Sequence, residues 1–258
     1  MPTLEINIMV NIRKSIIYVI SAIFALSAVS CQSDDTLYYN NMTMGNVVDG
    51  RFVSDQGNTF NIVDQLCGGK LETEKRAMVI CDVLNETAGA EKEYDVRLRD
   101  FYSVLDKDAV PFENATEGEI AVQDPITVEQ LWYSGGYLNM LIRFHIVSGS
   151  ETMHLINLVY SKDAEGKYIL NLRHNAYDEV YAEKPEGTMI FNGGGYVSFP
   201  ITKFIKEDEA RVFLKWTGYE TTEGGYGYDF NRNKDYSFEY EWKRTGFEQV
   251  PNKTTQLY

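Results

Sequence analysis

Apolar and polar residues alternate along most of this chain with a period of two. The clearest run lies near the C-terminus, where Tyr236, Phe238, Tyr240 and Trp242 alternate with serine, glutamate and lysine. Residues 138–146 repeat the pattern. Because successive side chains of a strand point to opposite faces, each run predicts a strand half-buried in an antiparallel sheet.

Turn signals rich in glycine separate these runs, among them Gly135-Gly136 and the triple glycine at 193–195. Short strands separated by turns are typical of β-sandwiches and barrels rather than of alternating strands and helices. The sequence therefore predicts an all-β fold. Helix is predicted only for two short segments, residues 128–132 and 206–210.

A domain boundary is predicted between Pro111 and Pro125. Residues 112–124 are acidic and have no sustained apolar period, which indicates a linker. The first domain then covers residues 37–111 and the second covers residues 125–258.

The N-terminal segment has the pattern of an export signal. Arg13 and Lys14 precede an uncharged apolar run, residues 15–28, which is shorter than the ~20 residues that span a bilayer. Small residues then lead into Cys31. We interpret residues 1–30 as a lipoprotein signal peptide, Cys31 as the lipid attachment site and residues 31–36 as a tether. An uncleaved anchor helix and an ordinary signal peptide are the alternatives.

Two acidic residues, Asp34 and Asp35, stand close behind Cys31. This stretch resembles the acidic tag of bacterial lipoproteins that are exported to the outer face of the outer membrane. A solvated linker is the alternative explanation. We therefore expect a lipid-anchored outer-membrane protein on the cell surface, with the periplasmic face as the other option.

The charge of the chain excludes some partners. The formal net charge is −14, and removal of residues 1–30, which hold one acid and two bases, makes it −15. Nucleic-acid binding relies on Lys and Arg pairing with phosphate, so we expect none here. Attraction to anionic lipid headgroups is excluded for the same reason, and contact with the membrane is expected only through the lipid anchor.

Two cysteines besides Cys31 are present, Cys67 and Cys81. In an oxidising compartment such a pair is usually bridged or buried. The residues between them could form a hairpin, so a Cys67–Cys81 disulfide is a candidate, with two free thiols as the alternative. Neither a C-x-x-C pair nor zinc-ligand spacing occurs, and we predict no metal and no cofactor.

Several segments carry a resemblance to the NigD-like lipoprotein family. Residues 49–57, leading to 76–80, resemble its N-terminal OB-type domain. Residues 132–139, 154–158, 172–175 and 196–201 are similar to the β-sandwich domain that follows. The resemblance implies a small OB-like Greek-key barrel followed by an antiparallel β-sandwich. It implies no catalytic residues.

The histidines are weak candidates for chemistry. His154 and His174 share the parity of apolar neighbours, which indicates hydrogen-bonded core residues, and His145 lies on a polar face, which indicates a solvated side chain.

Residues 229–235 place oxygen ligands at alternate positions, as a calcium loop does. However, Lys234 stands where such a loop needs glycine, so we interpret these residues as an Asx-rich hairpin turn.

Binding has slightly better support. Tyr219, Tyr226 and Tyr228 lie in a segment rich in glycine, which predicts an exposed loop whose tyrosines contact a ligand. A loop without a ligand is the alternative.

The sequence thus predicts a lipid-anchored, non-enzymatic envelope protein that binds a protein, peptide or glycan. The operon association of the family implies a bacteriocin-immunity-type accessory. A structural component of an outer-membrane assembly and a hydrolase are the alternatives, and the oligomeric state is left open.

Overall fold

The alternating runs form β-strands in the computed structural model, which describes residues 42–177, 179–180, 184–222 and 227–244. Thirteen strands in this part of the chain make two sheets. The strands are β1 (Thr43–Val48), β2 (Arg51–Ser54), β3 (Thr59–Gln65), β4 (Arg76–Glu86), β5 (Glu93–Asp106), β6 (Val110–Pro111), β7 (Thr127–Ser134), β8 (Tyr137–Val147), β9 (Leu155–Lys162), β10 (Tyr168–Asn175), β11 (Ile190–Pro200), β12 (Glu209–Thr221) and β13 (Tyr228–Lys243). The predicted all-β class is confirmed.

The first five strands close into a small barrel. Strand β1 pairs with β2 and β4, and β5 pairs with β4 on one side and, in parallel, with β3 on the other. This closed order is that of an OB-type Greek-key barrel, as the resemblance implied. Phe52, Phe60, Val96 and Leu98 fill its interior and are almost completely buried.

The remaining strands form the sandwich. Strands β7, β8 and β11 lie in one sheet, and the order β13-β12-β10-β9-β6 forms the other. Leu138, Met140 and Phe199 of the first sheet meet Leu170 and Leu214 of the second in a core without solvent exposure. Most neighbouring strands are antiparallel, whereas β12 pairs with β10 and β6 pairs with β9 in parallel, which departs from the expected pattern.

The larger sheet runs through both predicted domains. The end of β5 pairs in parallel with β11, where Val104 lies opposite Tyr196, and this pairing makes one eight-stranded sheet. Residues 112–124 contain a short helix, α1 (Glu117–Ile120), with a capping box formed by Thr116 and Glu119. The division into two domains stays a prediction.

The two predicted helices are wrong. Residues 128–132 lie in β7, and residues 206–210 lead into β12. The β7–β8 register jumps between Val128 and Gln130, so Glu129 is the extra residue of a β-bulge. In the described part of the chain, no helix is long and apolar enough to cross a membrane.

One buried ion pair joins the barrel to the sandwich. Arg76 of β4 is 1% exposed and pairs with Asp55, in the turn after β2, through two hydrogen bonds of 2.9 and 2.8 Å. The same guanidinium donates to Asn139 of β8 at 3.0 Å and to Ser198 of β11 at 3.1 Å. It also stacks over the ring of Tyr137 at 3.8 Å. A buried charge is tolerated only when paired and hydrogen-bonded in this way.

The turn between β7 and β8 makes room for this pair. Gly135 and Gly136 both have positive φ angles, as a two-residue hairpin turn of this type requires. A Cβ atom on Gly135 would lie 2.4 Å from Oδ1 of Asp55. The hydroxyl of Ser134 donates to the same carboxylate at 2.5 Å. The glycine therefore allows the close approach of the sandwich hairpin to the barrel turn.

We predict that Arg76→Lys lowers the free energy of unfolding by about 3 kcal/mol, because an ammonium cannot reproduce the two-point pairing and leaves buried acceptors unmatched. Denaturant unfolding measures the loss. The control is Arg211→Lys, whose pair with Glu165 is solvent-exposed and should change stability by less than about 0.5 kcal/mol. Equal stability of the two variants would show that the pair does not hold the fold.

Candidate functional site

An aromatic-lined cavity lies on the outer face of the eight-stranded sheet, at the end away from Arg76. Along β8, the even-numbered residues Met140 and Ile142 point into the core. Because successive side chains of a strand point to opposite faces, the odd-numbered residues Arg143 and His145 lie on the outer face. The end of the β12–β13 hairpin covers this face. The cavity has a volume of about 320 Å³. Its lining comprises Thr127, Glu129, Arg143, Phe144, His145 and Asn192 from the sheet, and Tyr219, Tyr228 and Phe230 from the hairpin.

A bulge in β13 delivers the aromatic roof of this pocket. The β12–β13 register jumps at Tyr219, so that residues 230–232 have no partners in the ladder. The amide of Asn231 donates to the carboxylate of Asp229 at 3.0 Å, which closes an Asx turn inside the bulge. As a result, the ring of Phe230 stands edge-on to His145 with centroids 4.3 Å apart. Bulges often re-aim a side chain in this way.

His145 and Tyr219 form the buried back of the pocket. The Tyr219 hydroxyl lies 3.2 Å from Nδ1 of His145, and both residues are nearly inaccessible to solvent. Burial lowers the pKa of His145. Burial, with a smaller effect of the Asp124 carboxylate, raises the pKa of Tyr219. Both rings are therefore uncharged at neutral pH, and the back of the pocket is an aromatic surface with a neutral hydrogen bond.

The rim of the pocket is polar and charge-balanced. Glu129, the extra residue of the β7 bulge, accepts a hydrogen bond from Nε of Arg143 at 3.1 Å, and both side chains are partly exposed. Asn192 of β11 is exposed and lies opposite His145 in the β8–β11 register. Burial, then the Glu129 charge, raises the pKa of the Tyr228 phenol. Donors and acceptors thus surround aromatic faces without an excess of either charge.

The predicted binding tyrosines have three different outcomes. Tyr228 lines the pocket and is half-buried. Tyr219 also lines it, but it lies in β12 and is buried, so its predicted exposure on a loop is wrong. Tyr226 lies outside the described residues, as does Cys31 with the whole signal segment and tether.

Other parts of the site were not found from the sequence. His145 was expected to be solvated, and this is wrong because the β12–β13 hairpin covers it. Phe230 and the Glu129–Arg143 pair were missed. The Asx-rich residues 229–235 were the one sequence feature that pointed to this part of the site. Their predicted Asx turn is confirmed, but it forms a bulge within β13 rather than a hairpin turn.

Cys67 and Cys81 are free thiols in the structure, so the candidate disulfide is not formed there. Cys81 lies in β4 opposite Leu98 of β5, while Cys67 follows β3, whose Gln65 lies opposite the same Leu98. Strand β5 therefore lies between β4, which holds Cys81, and the end of β3, which Cys67 follows. Burial, with a smaller effect of Asp82, raises the pKa of Cys81 to about 11, so this thiol is an unreactive core residue.

A second polar cluster lies inside the sandwich. His154 Nδ1 is 3.0 Å from His174 Nε2, and His154 Nε2 is 3.4 Å from the carboxylate of Glu179. That carboxylate also accepts hydrogen bonds from Ser150 and from the amide of Val147. Burial opposes ionisation of Glu179, but these hydrogen bonds outweigh it and lower its pKa to about 2. The expected role of both histidines as hydrogen-bonded core residues is confirmed.

Hydrogen bonding orders this cluster. His174 Nδ1 lies 3.1 Å from the carbonyl oxygen of Pro125, so it donates there, and Nε2 of the same ring faces Nδ1 of His154. Nε2 of His154 faces the carboxylate of Glu179 at 3.4 Å. All three side chains are buried, so the cluster is an internal hydrogen-bonded network rather than a site open to a substrate.

Comparison with protein families supports the resemblance. Residues 108–231 match the family model described as the NigD-like C-terminal beta sandwich domain, and this range includes every residue that lines the pocket. No curated protein matches the chain.

Solved structures share the fold of the barrel and sandwich together. A NigD-like immunity protein from Bacteroides caccae is 17% identical, with 78% of this chain and 96% of that chain covered and a TM-score of 0.54. A proposed lipoprotein from Bacteroides fragilis is 16% identical, with 79% and 98% covered and a TM-score of 0.53. A protein of unknown function from Bacteroides vulgatus is 20% identical, with 82% and 94% covered and a TM-score of 0.52. At such identities these likenesses show the fold alone.

We predict that acid destabilises the fold through His174. Burial, then the neighbouring His154, lowers the pKa of His174 from 6.5 to about 4. Between these values the unfolded chain binds a proton that the folded chain does not, so the free energy of unfolding falls as the pH falls from about 6.5 to 4, by about 3 kcal/mol.

Denaturant unfolding across this pH range measures the slope, and His174→Gln is the matched variant because it does not titrate. Whatever its stability at neutral pH, this variant should lose most of the slope between pH 6.5 and 4. A slope equal to that of the wild type would assign the acid sensitivity to other groups.

Proposed function

With residues 108–231 belonging to the NigD-like C-terminal β-sandwich family, we propose that this chain is a lipid-anchored, non-enzymatic protein of the cell envelope. It binds a protein, peptide or glycan outside the cytoplasm. The pocket under the β12–β13 hairpin is the observation that carries this proposal. Its volume of about 320 Å³ lies within the range of small-ligand sites, which are concave, aromatic-rich and rimmed by a few polar groups.

The chemistry of the pocket supports binding rather than catalysis. The carboxylate of Glu129 is engaged by Arg143, and His145 shares a hydrogen bond with Tyr219. These groups hold one another in place and are suited to orient a ligand. A general base would instead need a pKa near the working pH and a free approach to the substrate.

The names of proteins with the same fold support an envelope-associated role. One is called a NigD-like immunity protein and another a proposed lipoprotein. An immunity-type accessory that captures a bacteriocin is accordingly one form of the proposed binding function. The lipid on Cys31 anchors the folded part, and the acidic residues behind it favour the cell surface over the periplasmic face.

A structural component of an outer-membrane assembly is the second candidate. Met153, Met189 and Phe191 are all more than half exposed, which is unusual for large apolar side chains in one region. The amide of Ser148 donates to the carbonyl of Met189, and Phe191 lies opposite Ile146, so these two residues lie beside the end of β8. Met153 lies in the segment that joins β8 to β9. A partner protein would cover such a surface.

We predict that Cys31→Ser releases the protein from the membrane fraction, because no thiol remains to carry the lipid. Cell fractionation followed by a carbonate wash measures the distribution, with Cys67→Ser as the control that keeps the anchor. Protease shaving of intact cells then separates a surface location from a periplasmic one. Retention of the Cys31→Ser protein in washed membranes would contradict the lipid anchor.

We also predict that Phe230→Ala lowers the affinity for the ligand about tenfold, because the aromatic roof of the pocket is lost. An array of glycans and peptides, probed with labelled protein that lacks residues 1–31, identifies and measures binding. Tyr177→Ala is the matched control, since Tyr177 is exposed and does not line the pocket. Binding that is unaffected by Phe230→Ala would place the site elsewhere.

A further inference from the structure

A second aromatic surface lies on the same face of the sheet as the pocket. Here Tyr196 of β11 contacts Tyr102 of β5, with ring centroids 6.0 Å apart, and Trp132 of β7, with centroids 6.4 Å apart. Tyr102 is 42% exposed, and the other two rings are half-buried. We call these three residues the aromatic strip. It crosses the outer face from β5 to β7.

The register places the strip next to the pocket. Asn192 lies opposite His145, and Tyr196 lies opposite Leu141, four residues further along both strands. At the rise of an antiparallel strand, this separation is about 13 Å, or about three sugar units of an extended chain. Between them β11 contributes glycine at positions 193–195. Because glycine has no side chain, β11 contributes only backbone to the surface between the pocket and the strip.

The Glu129–Arg143 pair borders this stretch of glycine. Gly194 lies opposite Arg143 in the register. Burial, then the neighbouring Tyr102, raises the pKa of Tyr196, with smaller electrostatic effects of Arg143 and Glu129. The ion pair is thus close enough to act on the strip as well as on the pocket. The pair offers hydrogen-bond donors and acceptors to a ligand, while its own charges balance across the 3.1 Å contact between Arg143 Nε and the Glu129 carboxylate.

The backbone of this surface disfavours a peptide ligand. Strand β8 is paired on both sides, and β11 is paired with β8 along its length and with β5 at residues 196–198. A peptide that lies on the face of a sheet cannot add to the ladder, so its own N–H and C=O groups would lack backbone partners. Sugar hydroxyl groups need only side chains and water, and the apolar faces of sugar rings stack on aromatic rings.

The charges disfavour an anionic ligand. The chain has a formal net charge of −14, and Arg143, the one cation among the described residues that line the pocket, is already paired. A sulfated or uronic-acid chain would have to displace Glu129 from Arg143 against a negative overall field. A neutral chain meets no such cost.

We propose that the pocket and the aromatic strip form one extended groove that binds a neutral oligosaccharide, with a terminal sugar in the pocket and later units stacked on Tyr196 and Trp132. This inference rests on the proposed binding function and specifies its ligand class. It predicts that affinity rises with the length of the chain, because a short sugar reaches only one end of the groove.

The test uses the chain without residues 1–31, which lacks the lipid anchor, and titration calorimetry. The ligands are single neutral sugars, neutral oligosaccharides of increasing length, uronic-acid oligosaccharides and short peptides. Neutral oligosaccharides should bind more tightly than single sugars of the same kind. Trp132→Ala should lower the affinity for the longer chains about tenfold and leave the single sugar unchanged. Phe230→Ala should weaken both.

Tyr102→Ala provides a milder variant, because this ring is exposed and its loss leaves the core intact. Circular dichroism checks the fold of each variant, and Tyr177→Ala is the control for an unrelated exposed tyrosine. Peptide or anionic binding that Phe230→Ala abolishes would overturn the neutral-glycan inference while the proposed binding function stands. Binding by neither sugars nor peptides would count against both. Neutral-glycan binding that is independent of length and of Trp132 would overturn the extended groove.

Discussion

The buried pair of Arg76 and Asp55 is the interaction on which the arrangement of this molecule depends. A guanidinium without solvent must have its charge balanced and its donors accepted, and here the acceptors come from both halves of the fold. Asn139 and Ser198 lie on the outer face of the large sheet, so the pair draws the barrel over one end of that face. The far end of that face, around His145, is covered by the β12–β13 hairpin instead. The pocket therefore lies at the end of the face that the barrel does not cover.

Much of the fold could be predicted from the sequence because period-two alternation is a local property. Residues 236–242 and 138–146 form strands in the predicted parity, and the glycine pair at 135–136 forms the hairpin turn. The prediction failed where a bulge breaks the period. In β7 the buried apolar residues are Val128, Leu131 and Tyr133, and the step of three between the first two imitates a helix. The extra residue that causes this step is Glu129, which the site uses.

The site was less predictable because its environment is made by distant residues. Alternation alone correctly places His145 on the polar side of β8, but it cannot show that residues 219 and 230 fold over that side. The bulge in β13 that turns Phe230 inward has a local signal in its Asx residues, yet its consequence depends on a strand more than eighty positions away. Tyr228 was identified because tyrosine beside glycine suggests contact surfaces in general, which is a property of composition rather than of geometry.

Histidines contact β8 from both of its faces: His145 lies in the strand and faces the pocket, and His154 and His174 lie on its core side. Phe144 points inward and stacks on His154 with centroids 4.6 Å apart, while His145, the next residue, points outward into the pocket. The amide of Val147 donates to Glu179 of the inner cluster. The inner cluster thus holds the end of β8 from the core side, and the same segment supplies the back of the pocket on the outer face. Because His145 directly follows Phe144 in the strand, the packing of Phe144 on His154 also positions the residue at the back of the pocket.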